Sequence, residues 1–214
     1  MAPSMHHHGG EQAHGTRGRL LDRGWRYDLE VWFVDTFLLH GQVGDLRRRV
    51  LDLVELRSGQ AMLDVGCGTG TLAIDAAARV SRACRVAGID PAPRQIARAR
   101  SKARRAGLAI DFRVAAVEAL PFSDESFDVV TSTLMMHHLP DELRRLGLSE
   151  IRRVLRPGGR LVVCDFQSAE ANARDLTELV SRAAFASVDT LEVPFRRTHH
   201  GCSGAILVQG IVPG

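Results

Sequence analysis

The chain has 214 residues, enough for one ordinary domain and too few for two complete ones. Hydrophobic residues make up 45% and charged residues 25%, which excludes a disordered or fibrous chain and predicts a packed core. The formal net charge of +3 is carried almost wholly by arginine, with Lys102 the sole lysine, and so small a surplus gives no vote for a nucleic-acid partner.

Residues 1–18 are rich in Gly, His and small polar types and are expected to form a disordered tail without an apolar signal-peptide core. Residues 19–42 carry Trp25, Tyr27, Trp32, Phe33 and Phe37, an aromatic cap that either pads the fold, forms a dimer face or closes over a ligand as a lid. The longest apolar stretch, Leu29 to Leu39, is interrupted by Glu30 and Asp35 and is too short to span a bilayer. Val43, Leu46, Val50, Leu53 and Val54 recur at helical spacing, so a helix is predicted over residues 43–56.

From there strand-like and helix-like segments alternate. Strands are predicted at Ala61–Val65, Arg85–Ile89, Ile110–Val114, Asp128–Ser132 and Arg160–Asp165, each short and mostly apolar, as in strands buried on both faces. Helices are predicted between them at about 70–80, 92–106 and 141–155. The last opens with Pro140-Asp141-Glu142 and stops at Pro157-Gly158-Gly159. This alternation predicts a doubly wound α/β domain over residues 43–214. After a helix at about 169–185 the rhythm breaks. Ser187–Val193 and Ala205–Gln209, joined by a short link, predict an antiparallel hairpin at the sheet edge. Cys67, Cys84, Cys164 and Cys202 form no Cys-x-x-Cys pair, so neither a zinc site nor a disulfide framework is expected, and a reduced, cytoplasmic setting follows.

The strongest local signal is the run from Met62 to Ala77, in which a buried strand leads through Asp64 into Gly66-x-Gly68-x-Gly70 and then a helix. Glycines permit the tight turn and let backbone amides approach a ligand, and the following helix offers its positive end to an anionic group. Alone, such a loop suits either a dinucleotide or the carboxylate of an amino-acid ligand. Asp90 ends the next strand just before Pro91. An acid there can accept hydrogen bonds from both hydroxyls of a ribose, and it can equally cap the helix that follows.

Taken together, the glycine loop, Asp90, Leu120–Val130, the His137-His138-Leu139-Pro140 step and Leu155–Val163 resemble the class I S-adenosylmethionine-dependent methyltransferases. The narrower resemblance is to the small-molecule branch that includes quinone-biosynthesis C-methyltransferases, over roughly residues 43–211. It implies a Rossmann-like seven-stranded sheet of order 3-2-1-4-5-7-6 with the last strand antiparallel. It also implies S-adenosylmethionine as cofactor, S-adenosylhomocysteine as product and no metal. By the same resemblance Asp64 faces the methionine amino group, Gly66, Cys67, Gly68 and Gly70 line the cofactor, and Asp90 and Pro91 flank the ribose. Ala116 and Val117 flank the adenine, and Ser132 lies at the crevice. Relatives carry an aspartate where this chain has Ala116, so an acceptor for the adenine amino group is missing there. Glycine spacing and the acid before the loop speak against a nicotinamide-dependent oxidoreductase.

Candidates for the acceptor side are Tyr27, Trp32 and Met136. His137 or His138 is either a general base or a packing residue. The predicted activity is methyl transfer to oxygen, carbon or nitrogen of a small, apolar or aromatic acceptor, by a monomer or homodimer. Two alternatives stay open, a catalytically inactive binding module and an RNA methyltransferase. The second rests on the basic helix with Arg94, Arg98, Arg100, Lys102, Arg104 and Arg105, otherwise read as a solvated face.

Overall fold

The structure is a computed structural model that describes residue 28 and residues 41–80, 83–168, 173–199 and 202–214. The expected tail over residues 1–18, and Tyr27 and Trp32 of the aromatic cap, lie outside the described residues.

Seven strands form one sheet: β1 (Ala61–Val65), β2 (Arg85–Asp90), β3 (Asp111–Val114), β4 (Phe127–Thr133), β5 (Leu155–Ser168), β6 (Ala186–His199) and β7 (Cys202–Ile211). Their order is β3-β2-β1-β4-β5-β7-β6, with the first five parallel and β7 antiparallel to both of its neighbours. The apolar strands predicted from the sequence are therefore the parallel centre, and the C-terminal hairpin closes one edge. The helices are α1 (Gln42–Val54), α2 (Thr71–Arg79), α3 (Pro93–Arg105), α4 (Asp141–Val154) and α5 (Ala173–Arg182). A short 3-10 turn spans Met136–His138.

Alternation along the strands sorts the core into two faces. Met62, Val129 and Val162 pack with Leu46, Val50 and Val54 of α1 and with Leu72 and Ala76 of α2. Leu63, Val130 and Val163 point the other way, onto Leu148 and Ile151 of α4 and Val180 of α5. Ile96, Ala99 and Ala103 of α3 cover Val86 and Phe112 near the β3 edge.

Two strands are longer than their apolar runs suggest. β5 begins at Leu155, immediately after α4, and reaches Arg160 through a register shift opposite Phe127 and Val129. Gly158 and Gly159 exchange backbone hydrogen bonds with Val212 at 2.9 Å each, so the helix-stopping Pro-Gly-Gly is also paired to the chain's end. β6 continues past Val193 because β7 offers it a partner as far as Cys202.

Asp128 is structural, as its place at the start of a strand suggests. Its Oδ2 accepts from the Ala61 amide at 2.7 Å and from Arg156 at 2.7 Å, tying β4 to the start of β1 and to the bulge of β5. The basic helix differs from a solvated face in three of its residues. Arg98 and Lys102 bind Asp28, and Arg100 donates twice to the Phe112 carbonyl at 2.6 and 3.0 Å.

Candidate functional site

In an open α/β sheet the ligand crevice lies beyond the carboxyl ends of the strands, where neighbouring strands send their chains in opposite directions. Here that point lies between β1 and β4. Acids lie at or near the carboxyl ends of three strands there, Asp64 in β1, Asp90 in β2 and Asp165 in β5.

The glycine loop follows β1. Gly66, Gly68 and Gly70 all have positive φ (72°, 54° and 75°), which an L side chain adopts only under strain. The Cys67 amide donates to the Ile89 carbonyl at 2.8 Å, and the Gly68 amide to Asp90 Oδ2 at 2.9 Å, so the loop is held against β2. Asp90 Oδ1 accepts from the Ala92 amide at 2.9 Å, across Pro91 and into the start of α3. Asp90 is therefore not the helix cap that the sequence also allowed: Ala92 holds the N-cap position, with no side-chain cap, and Asp90 orders the turn before it. These two bonds use part of a carboxylate's roughly four acceptor positions.

Asp64 is 2% exposed. Thr131 Oγ1 donates to its Oδ1 at 2.9 Å across the β1–β4 pair. Burial pushes its carboxyl up to about 7, and the nearby charge of Asp90 adds to the rise. A buried acid in this condition is poised to ionise against an incoming cation. Burial also holds the Cys67 thiol well above its ordinary range, so it lines the loop as a thiol and not as a thiolate.

After β4 the chain turns sharply. Leu134 takes a positive φ of 55°, an uncommon state for a leucine, and its amide donates to the Cys164 carbonyl at 2.7 Å. Met136, expected on the acceptor side, is instead 2% exposed and packs in the core, because the turn breaks the strand's alternation and points it inward. Its neighbour Met135 lies over the glycine loop, so close that a methyl on Gly66 would meet its Cγ at 2.4 Å. Ser132 Oγ and Thr133 Oγ1 are buried without a hydrogen-bond partner among the described residues. Ser132 is fully buried next to Val65 and Val163.

The turn presents His137 to Asp165, a residue that sequence reasoning missed as a functional group although it placed it at a strand's carboxyl end. Asp165 is 5% exposed. Its Oδ2 accepts from the His137 amide at 2.8 Å, and its Oδ1 lies 2.5 Å from His137 Nδ1. The His138 ring lies against that of His137 with centroids 3.9 Å apart. Phe166 stands 5.6 Å from His137, and Phe195 packs edge-on against Phe166 at 6.1 Å, giving the pair an aromatic neighbourhood.

At the other end of the crevice the turn after β3 runs Ala115, Ala116, Val117, Glu118. The first three are buried, and the Ala115 amide donates to the Asp90 carbonyl at 3.2 Å. Ala116 follows next in the chain, with a methyl group and no side-chain acceptor. The residues present fit a nucleoside–amino-acid sulfonium: a poised buried acid at Asp64, an acid at Asp90, an apolar turn for a base and orphaned polar atoms between them.

This sheet order and this glycine loop beside Asp90 define the class I S-adenosylmethionine-dependent methyltransferases, and residues 62–159 match the family model described as a methyltransferase domain. By fold and by sequence the chain resembles them, and more narrowly the quinone-biosynthesis branch. It is 41% identical over 141 residues to the demethylmenaquinone methyltransferase of Thermus thermophilus, covering 66% of this chain and 61% of that protein. It is 36% identical over 151 residues to the 27-O-demethylrifamycin SV methyltransferase of Amycolatopsis mediterranei, covering 69% of this chain and 54% of that protein. The chain therefore spans between half and two thirds of the length of these relatives. Among solved structures, the [4+2]-cyclase SpnF superposes with a TM-score of 0.69 at 24% identity, over 79% of this chain and 80% of that one, a likeness of fold.

Proposed function

We propose that this protein transfers a methyl group from S-adenosylmethionine to a hydroxyl of a small, apolar or aromatic acceptor, with His137 as general base. When bound, the cofactor supplies an electrophilic methyl group on a sulfonium. Gly66, Cys67, Gly68 and Gly70 would line it, Asp64 would face its amino group, Asp90 and Pro91 would meet its ribose, and Ala116 and Val117 its base. Ser132, whose buried hydroxyl has no partner among the described residues, would stand next to them at the end of β4.

The observation that carries the reading is the His137–Asp165 pair. Asp165 accepts a hydrogen bond from Nδ1–H in this reading, which leaves the Nε2 lone pair to take a proton from the methyl acceptor. Asp165 is the positioning residue: it sets the tautomer, fixes the ring through the backbone amide as well, and stabilises the imidazolium once the proton has moved. β5 lies two strands from β1, about 10 Å at ordinary strand spacing, a separation that suits a base and a cofactor loop flanking one substrate. Much of the rate comes from holding nucleophile and methyl in line. A base favours an acceptor that must lose a proton, a hydroxyl or acidic carbon before a neutral amine. Phe166 and Phe195 favour an apolar or aromatic one. His138 supports the ring of His137, and Tyr27 and Trp32 belong to the acceptor side in this reading.

A small molecule is favoured over RNA because Arg98, Arg100 and Lys102 bind within the protein. Cys67, Cys84 and Cys164 are free thiols, which fits a reducing compartment such as the cytoplasm. No helix among the described residues is long and apolar enough to cross a membrane.

The test is S-adenosylhomocysteine release from a panel of phenols, enols and amines. His137→Gln and Asp165→Asn are each expected to lower kcat by about 10²–10⁴ while leaving S-adenosylhomocysteine affinity unchanged. Wild-type turnover in both variants sinks the assigned base. Failure of the wild type to bind S-adenosylhomocysteine sinks the activity itself.

A further inference from the structure

The strand that separates the cofactor loop from the proposed base ends in a hydroxyl with nothing to bond. β4 runs between β1, which leads into the glycine loop, and β5, which carries Asp165. Thr133 is its last residue, at the carboxyl end where the crevice opens.

Alternation along β4 sets the direction of its side chain. Thr131, two residues earlier, turns to the face that holds Asp64 and donates to its Oδ1 at 2.9 Å. Thr133 shares that face, one step nearer the crevice. On its other side the register pairs it with Cys164, and Phe166 follows two residues on along the same face. Phe166 stands 5.6 Å from the His137 ring. Thr133 thus lies between the acid proposed for the cofactor's amino group and the aromatic neighbourhood of the base. The residue is half-buried, and its Oγ1 is out of water with no partner among the described residues. A valine of the same shape would avoid the cost of an unmet hydroxyl, whereas a polar ligand atom in the crevice would meet it.

The reaction itself has a use for a donor there. In transfer to a hydroxyl, His137 Nε2 takes the acceptor's proton. One oxygen lone pair forms the bond to the methyl carbon, and the carbon–sulfur electron pair stays with sulfur. The oxygen keeps another lone pair that can accept from the protein. A neutral amine has a single lone pair, so a donor that meets it blocks attack. We propose that Thr133 Oγ1 donates a hydrogen bond to the attacking oxygen, aims it at the methyl group and so selects hydroxyls over amines. Its O–H also steadies the negative charge that grows on the oxygen, and Thr133 keeps its own proton throughout. The inference rests on the methyl-transfer reading above.

The test compares kcat/KM for the best phenol of the acceptor panel and its matching aniline. Thr133→Val and Thr133→Ala remove the hydroxyl, and Thr133→Ser keeps it. Both removals are expected to lower the phenol value by about 10- to 100-fold, the range of a hydrogen bond to a charged group, while the aniline value rises. Thr133→Ser is expected to stay near wild type for both acceptors. Calorimetry with S-adenosylhomocysteine and thermal unfolding identify the variants whose cofactor site and fold are intact. A phenol value unchanged by either removal overturns the assignment, as does an equal fractional loss for phenol and aniline or a wild type that prefers the aniline. A wild type that binds S-adenosylhomocysteine and methylates nothing in the panel overturns the activity beneath it, a result distinct from the others.

Discussion

Asp64 shows how one buried side chain couples folding, pH and ligand. Its carboxyl lies near 7 in the folded protein, chiefly through burial, against an ordinary value of 3.8. Between about pH 4 and 7 the unfolded chain has released this proton and the folded protein has kept it. The stability contribution is therefore greatest below pH 4, falls by on the order of a few kcal/mol as pH rises to 7, and is flat above. Asp64→Asn is expected to remove that slope in denaturant unfolding measured from pH 5 to 8. An ammonium-bearing ligand reverses the preference, since it favours the ionised acid. S-adenosylhomocysteine affinity is expected to rise through pH 7 in the wild type and to lose that rise in Asp64→Asn. The loop glycines separate by what surrounds them. A methyl at Gly70 would meet Phe112 at 2.6 Å and Ala99 at 2.9 Å, both fixed in the core, whereas at Gly66 it meets the flexible Met135. Both carry the strain of positive φ, about 1–2 kcal/mol. Gly70→Ala is expected to cost more stability than Gly66→Ala, by urea denaturation.

Helix α4 does two jobs as an element. Its apolar face covers the sheet, and its far end grips the loop between β3 and β4. Arg153 reaches Glu150 and Asp124 at 2.7 Å as well as the two loop carbonyls, and Glu150 in turn takes the Leu120 amide. No helix fills the loop over residues 115–126, so these bonds substitute for packing in setting its path. Arg153→Ala removes a donor from Glu150 and from the Leu120 and Phe122 carbonyls. It is expected to weaken S-adenosylhomocysteine binding by about tenfold with kcat little changed, and Arg153→Lys to recover only part, because a lysine lacks the planar fork. Apart from the Glu150 pair, the partners of Arg152, Arg153 and Arg156 lie about thirty residues away in the chain, which local spacing does not reveal.

At the scale of the whole molecule, Asp28 links a residue distant in the chain to the glycine loop and to α3. Asp28 takes hydrogen bonds from Thr69 in the glycine loop and from Arg98 at 2.7 Å, and lies 3.5 Å from Lys102 Nζ. Burial alone would raise the Asp28 carboxyl. The bonds from Thr69 and Arg98 and the charge of Lys102 outweigh it and hold the group below its ordinary range. Lys102, drawn down by its own burial, also donates to Thr71 at the first turn of α2 at 2.8 Å. Asp28→Ala leaves Lys102 half-buried without its counter-charge. It is expected to cost more than the ~1 kcal/mol of an exposed pair and to weaken the salt dependence of thermal unfolding.

Periodicity and punctuation in the sequence determined the parallel centre, the glycine loop, the acids at the ends of β1 and β2, and the terminal hairpin. Each is a local property: a buried strand must be apolar, a tight turn must have glycine, and a hairpin must have a short link. The strand order came from family resemblance, and the sheet agrees with it. Only the tertiary structure decided which histidine meets Asp165, that Met135 and not Met136 faces the glycine loop, that the basic helix turns three charges inward, and that the Thr133 hydroxyl is left without a partner among the described residues. Those outcomes depend on side chains brought together from distant parts of the chain, and on turns such as that at Leu134 where a single backbone rotation redirects every residue after it.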